Sequence, residues 1–179
     1  DYYLFRGQAL WTPVERLDLL LMADYRKDKS DGNNFVTRQT GDPLDKDYEV
    51  SIPDPGFEHV EAEGYALTAN YDLDDYLFTS ITSYNKIDEK YENDVDWSDL
   101  DALTANDTRD NKQWSQELRI SSTGNQSLQW VAGLYYFDQT FDAFTEAVNG
   151  PDTVYAAFGL TDLVGTGIPP SSIGLPDSV

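Results

Sequence analysis

Four aspartates, Asp94, Asp96, Asp99 and Asp101, fall within the stretch D-V-D-W-S-D-L-D, the one constellation in this chain with the character of a metal site. Carboxylate oxygens at alternate positions are hard donors that can wrap Ca²⁺, and the first odd positions follow the opening of an EF-hand loop. That loop also needs a glycine for its sharp turn and a distal glutamate to close the coordination sphere, and both are missing here. The stretch is therefore expected to be a solvated acidic loop. His59, the single histidine, stands in Glu58-His59-Val60-Glu61. An imidazole without a second ligand or a catalytic partner is expected to face solvent. Carboxylate pairs with glycosidase spacing can be drawn almost anywhere among 33 acidic residues, so abundance singles out none of them. Nucleophile-elbow, phosphate-loop and dinucleotide-binding motifs do not occur, and Gly165-Thr166-Gly167 is a two-glycine turn. No catalytic, cofactor-binding or metal-ligating residue is assigned, and the chain is expected to perform no chemistry.

Composition narrows the partners. The net charge of -21 over 179 residues disfavours nucleic acid and anionic surfaces, which need clustered Lys and Arg. Cysteine is absent, which removes disulfides, thiolate metal sites and a Cys nucleophile. The longest apolar run, residues 19–23, is far too short for a transmembrane helix. A mean hydropathy of -0.55 is the value of a water-soluble protein, yet it would equally describe a membrane β-barrel, in which only every second residue of a strand meets lipid.

The clearest strand signal is in residues 112–141. Trp114, Gln116, Leu118 and Ile120 share one parity and Gln113, Ser115, Glu117 and Arg119 the other, a period of two with one wholly polar face. After the turn signal Thr123-Gly124-Asn125-Gln126-Ser127, a second run sets Val131, Gly133, Tyr135 and Phe137 against Trp130, Ala132, Leu134 and Tyr136. This predicts a hairpin with arms of about eleven residues. Residues 3–11 and 17–27 form another, joined at Thr12-Pro13-Val14-Glu15-Arg16. Leu17, Leu19, Leu21, Ala23 and Tyr25 line one face there, and Asp18, Asp24 and Arg26 the other. A helix over 16–27 is the competing reading of this Leu-rich run, and the shared parity of its charges argues against it. Residues 61–73 and 76–87 form the third hairpin around Asp72-Leu73-Asp74-Asp75. Alternation alone leaves the facing of 76–87 open, and pairing across the turn puts Tyr76, Phe78 and Tyr84 with Tyr65 and Tyr71.

Three tight turns thus alternate with three long segments, 28–60, 88–111 and 143–179, rich in acidic residues or in Gly, Pro and Ser. Outer-membrane barrels have this asymmetry, with short turns at one end and long loops at the other. Trp11, Tyr71, Tyr76 and Trp130 lie beside the short turns, and Tyr25, Tyr84, Trp114 and Phe137 toward the long segments, the arrangement of two interfacial girdles. From Leu17 to Tyr25 is eight steps of about 3.3 Å, or roughly 19 Å along the membrane normal at a tilt near 45°. The fold expected is all-β: an antiparallel up-and-down meander of about six strands over 1–142, part of a larger transmembrane barrel, with 143–179 a truncated external loop.

The run D-N-K-Q-W-S-Q-E-L-R-I-S-S at 110–122, followed by L-Q-W-V-A-G-L-Y-Y-F at 128–137, resembles the mid-barrel hairpin of TonB-dependent outer-membrane receptors. R-G-Q-A-L-W-T-P at 6–13 and L-F-T-S-I-T-S-Y at 77–84 resemble preceding strands of the same barrel. The resemblance implies a barrel of about 22 strands around an N-terminal plug. It further implies active uptake of a scarce substrate, such as a metal-siderophore complex, across the bacterial outer membrane, driven through TonB. Outer-membrane lipid, lipopolysaccharide and a small-molecule ligand are the partners implied, with TonB engaged through a part of the protein outside this chain. Plug and TonB-contacting segments have no counterpart in these residues, so the chain is expected to be an internal piece of such a barrel. Asp24, Arg26, Glu117 and Arg119 become candidates for contacts inside it. A passive porin-like channel and a soluble all-β carbohydrate-binding module are the alternative functions.

Overall fold

The computed structural model describes residues 1–32, 55–96, 100–124, 127–160, 162, 164 and 169–176. It contains six strands, β1 (Tyr2–Val14), β2 (Leu17–Asp31), β3 (Phe57–Asp72), β4 (Tyr76–Asp94), β5 (Leu103–Ser122) and β6 (Val131–Asn149), in one sheet ordered as in the sequence. Each strand neighbours the next, so the fold is the up-and-down antiparallel meander expected from the alternation. The Leu-rich run at 17–27 is strand, and the pairs Phe5 with Tyr25 and Trp11 with Leu19 fix its register against β1. That register slips between Trp11 and Val14, where Pro13 has no N–H to give the ladder.

The chain divides into two compact units, and the first comprises Asp1–Asp28, Val60–Glu89 and Arg109–Ala143. It contains the three short turns, which are bonded to one another. Asp72 N–H donates to Arg16 O at 2.9 Å, and Thr123 N–H donates to Asp75 O at 2.7 Å. Arg16 pairs with Asp74 at 2.7 Å, and this hydrogen bond raises the guanidinium pKa still further, keeping Arg16 charged throughout. The pair is well exposed, so water and salt screen most of its attraction. The three turns lie side by side, as the alternation of short and long connections requires.

The second unit comprises Lys29–His59, Lys90–Thr108 and Phe144–Val179. Here the structure departs from the expected loops. β4 and β5 continue as a paired hairpin to Asp94 and from Leu103, so that 88–111, expected to be one long loop, is mostly strand. The acidic composition misleads because a hairpin arm in water needs only its backbone ladder and strand-compatible side chains, not an apolar face. β4 is accordingly 19 residues long where a strand over 76–87 was expected, and β5 is 20 residues long where an arm of about eleven was expected. β6 likewise runs to Asn149 and is followed by a short helix, α1 (Thr153–Ala157), and a 3-10 turn (Pro170–Ile173), within what was expected to be a loop from 143 onward. β2 and β3 take up the two ends of the 28–60 segment, and 33–54 lie outside the described residues.

A strap from β6 closes on the hairpin tip. Gly150 N–H donates to Ala102 O at 2.9 Å, Asp152 N–H to Asp101 O at 2.9 Å, and Asp101 N–H returns a bond to Asp152 Oδ2 at 3.0 Å. Thr153 Oγ1 also donates to Ala102 O. A β-carbon at Gly150 would sit 2.1 Å from Asp101 O, so only glycine allows this approach. Ala102 and Val154 are buried beneath the strap.

Asp74, with φ of 64°, is the sole non-glycine residue in the left-handed region among the described residues, and its N–H donates to Asp72 Oδ1. Asn tolerates this conformation as Asp does, whereas a β-branched side chain does not. Asp74→Asn should therefore leave stability nearly unchanged, and Asp74→Val should lower it by about 1–2 kcal/mol in equilibrium urea unfolding of the complete protein.

Candidate functional site

Side-chain contacts assign the two faces of the first unit. Thr79 Oγ1 donates to Asn70 Oδ1 at 2.8 Å, the Ser83 and Ser115 hydroxyls are 2.7 Å apart, and Gln139 Nε2 donates to Asn111 Oδ1 at 2.9 Å. Asp24 and Asn85 bring their Oδ1 atoms over Gly64, within 2.9 and 3.0 Å of where a β-carbon would lie. These residues share one face by the strand period of two, and it is polar. Asp24, Arg26, Glu117 and Arg119 belong to it by parity, and Arg119 Nη1 lies 3.4 Å from Glu117 Oε1. Asn70 and Thr79 also settle the facing of β4: Tyr76, Phe78 and Tyr84 go with Tyr65 and Tyr71 on the opposite side.

That opposite face carries two tiers of aromatic rings. Near the short turns, Tyr76 and Trp130 stand 5.9 Å apart, and Trp11 pairs with Leu19. Six to eight residues along the strands, Trp114 and Tyr136 stand 5.4 Å apart and Phe5 pairs with Tyr25. The ring pair corrects one expected girdle residue. Tyr136, not Phe137, joins Trp114, and Phe137 belongs with Tyr135 and Gln139 on the polar side. Both parities of β6 are apolar near 131–137, so alternation had no power to choose between them; a cross-strand aromatic partner does.

Between the tiers lie Leu21, Ala23, Leu67, Ala69, Phe78, Leu118 and Leu134, of which Leu134 is 76 % exposed. The polar interruption on this face is self-contained. Thr82 Oγ1 donates to Gln116 Oε1 at 2.6 Å, while Gln116 Nε2 donates to Ser80 Oγ at 3.0 Å and to Glu117 O at 3.1 Å. Beyond the farther tier the same face turns charged, with Lys27 paired to Glu61, Lys86 to Asp88 and Lys112 to Asp110. No side chain among the described residues is completely buried; Val60, Gly64 and Thr79 are the buried residues among those described in this unit.

At the described ends of the acidic stretch, carboxylates accept from backbone N–H groups. Asp94 Oδ1 accepts from Asp96 N–H at 3.0 Å, and Asp96 Oδ2 accepts from Ala102 and Leu103 N–H at 3.2 and 3.0 Å. Trp97, Ser98 and Asp99 lie outside the described residues, as do Gly165, Thr166 and Gly167. His59, expected to face solvent, is half-buried with its ring 4.6 Å from that of Phe57. Among the described residues no group of three or more His, Asp or Glu is placed to hold a metal ion. No helix among them is long and apolar enough to cross a membrane, a statement that says nothing of strands.

Among solved structures the chain is similar to BauA, the ferric preacinetobactin receptor from Acinetobacter baumannii, with a TM-score of 0.62 over 81 % of this chain. The likeness is one of fold. Identity is 17 %, and the chain spans only 24 % of that receptor's length. No protein family and no curated protein matches the sequence.

The Gln116 group tests whether its face is dry. Gln116→Leu should cost about 1–3 kcal/mol in urea unfolding of the complete protein, because Ser80 and Thr82 lose their partner. Adding Ser80→Ala and Thr82→Val should recover most of that loss. A single-variant cost near zero would mean that water already serves these hydroxyls.

Proposed function

We infer that this chain is a stretch of wall from a transmembrane β-barrel of the bacterial outer membrane. The observation that carries the reading is the exposed apolar face bounded by two aromatic tiers, on a sheet with almost no buried side chains. A soluble protein with this face bare in water would aggregate. Between layers of lipid the same face is satisfied, and the aromatic tiers sit where hydrocarbon meets headgroups. The backbone needs no water on this face because the ladder pairs it internally.

Within that reading the protein is a receptor for active uptake, taking a scarce substrate such as a metal-siderophore complex and drawing energy through TonB by way of other parts of the molecule. Support comes from the sequence resemblance at 110–137 and from the fold shared with a ferric siderophore receptor. The role of this chain is then to hold one face to lipid, present polar side chains such as Asp24, Asn85 and Arg119 to the barrel interior, and carry the long β4–β5 hairpin outward. Binding and transport, rather than bond-making chemistry, are its work.

Two measurements test the orientation. Leu21→Arg in the intact barrel should destabilise it by about 2–4 kcal/mol, the cost of a cation near the bilayer midplane, and a negligible effect would remove Leu21 from the lipid face. Tyr136→Trp and Phe137→Trp, each made in a background with the four native tryptophans replaced by Phe, should differ in fluorescence when the barrel is reconstituted with brominated-acyl lipids. Position 136 should be strongly quenched and position 137 hardly at all; equal quenching would defeat the assignment of faces.

A further inference from the structure

We propose that Asn149-Gly150 is a deamidation site caged by the strap, so that the side-chain amide is lost where the strap opens and its loss then keeps the strap open. This goes beyond the proposed function and does not depend on the membrane reading. Asn149-Gly150 is the one Asn-Gly pair in the chain. In such a pair the glycine nitrogen can turn onto the preceding side-chain carbonyl, because no β-carbon hinders it and its backbone reaches the conformation required. The nitrogen gives its proton to water, the bond from Gly150 N to Asn149 Cγ forms, the bond from Cγ to Nδ2 breaks, and ammonia leaves. Water then opens the cyclic succinimide at either carbonyl, giving aspartate or isoaspartate. The balance is amide plus water to carboxylate plus ammonium, with nothing oxidised or reduced.

The fold both requires this pair and restrains it. Asn149 is the exposed last residue of β6, and Gly150 begins the strap. A β-carbon at 150 would collide with Asp101 O and Asp101 Oδ1, so the close approach that needs glycine is also what supplies the reactive nitrogen. In the closed strap that nitrogen is engaged. Gly150 N–H donates to Ala102 O at 2.9 Å, and the Thr153 hydroxyl shares its proton between Ala102 O and Gly150 O. Held in this way, Gly150 N cannot turn onto Asn149 Cγ until the strap lifts, so local opening sets the rate. The products fit the closed strap poorly. Isoaspartate adds a methylene to the main chain just before Gly150, which displaces its N–H from Ala102 O. Either product also adds negative charge to a strap that already brings Asp101 and Asp152 together. An ordinary exposed asparagine is the competing explanation, and it predicts a rate indifferent to the strap.

The test follows the complete protein, folded and unfolded in urea, at mildly alkaline pH. Peptide mass mapping reads each asparagine, enzymatic methyl labelling reads isoaspartate, and amide exchange at Gly150 is measured in parallel. Unfolded protein should deamidate at Asn149 while Asn85 and Asn106, each followed by a residue with a side chain, stay intact. Folded protein should react about 100-fold more slowly. Asp152→Ala with Thr153→Val, which removes the side-chain bonds of the strap, should speed the folded-state reaction about tenfold and raise Gly150 exchange with it. Protein aged to isoaspartate at 149 should exchange Gly150 faster than fresh protein does. No reaction at Asn149 in the unfolded protein, or equal reaction at Asn85 and Asn106, overturns the site. Equal rates in folded and unfolded protein, or a double variant no faster although its Gly150 exchange has risen, overturn the cage. Where the double variant does not fold or leaves exchange unchanged, wild type in sub-denaturing urea takes its place. Deamidation should then rise in proportion to Gly150 exchange, and a constant rate overturns the cage. Full protection of Gly150 in the isoaspartate form overturns the claim that the modified strap stays open.

Discussion

A strand has two faces and one ladder, and in this sheet the ladder has to be complete before either face can matter. Backbone N–H and C=O groups on an apolar surface have no water to fall back on, so each must find its partner in the neighbouring strand. The meander supplies this with the shortest connections, and the three tight turns are bonded together, Asp72 to Arg16 and Thr123 to Asp75, so that adjacent hairpins cannot slip in register. A slip of one residue would exchange the faces and put Asp24 or Arg119 among the leucines. The cost of such an exchange is what gives the turn contacts their importance, since the exposed Arg16 to Asp74 ion pair adds little by itself.

β1 and β6 each have one neighbour in this sheet, and their side chains are exposed along their whole length. Both edges offer unpaired backbone groups and large apolar side chains such as Leu10 and Tyr135. A sheet of this kind is stable where further strands continue it, which is how a closed barrel abolishes its edges. The fold shared with part of a much longer receptor is in keeping with that requirement.

What could be read from the sequence followed the strength of the period. Where one parity is polar, as in Asp18, Asp24 and Arg26 or Gln113 to Arg119, strand, face and partner were all legible. Where both parities are apolar, as at 131–137, alternation predicted a strand but not its direction of facing, and Phe137 was set on the wrong side. The hairpin arms at 88–94 and 103–111 escaped because the expectation of an apolar face was carried past the end of the apolar band, into a region where Tyr91 or Thr104 needs only a pleated neighbour. The charged row was not legible at all, since Lys27, Lys86 and Lys112 are far apart in the chain and become neighbours only through the register.

The acidic residues divide into two kinds of work, and this bears on how the charge of -21 should be understood. Asp72, Asp94, Asp96 and Asp152 spend carboxylate oxygens on backbone N–H groups at turns and at the strap, where a short side chain that accepts but does not donate is what the local geometry needs. Such carboxylates are structural, each satisfying backbone donors at the end of a strand or at the strap. Glu61, Asp88 and Asp110 instead lie against Lys27, Lys86 and Lys112 at the edge of the apolar face, where a charge without a partner would be poorly solvated on its apolar side. Pairing them keeps that level of the sheet near neutrality.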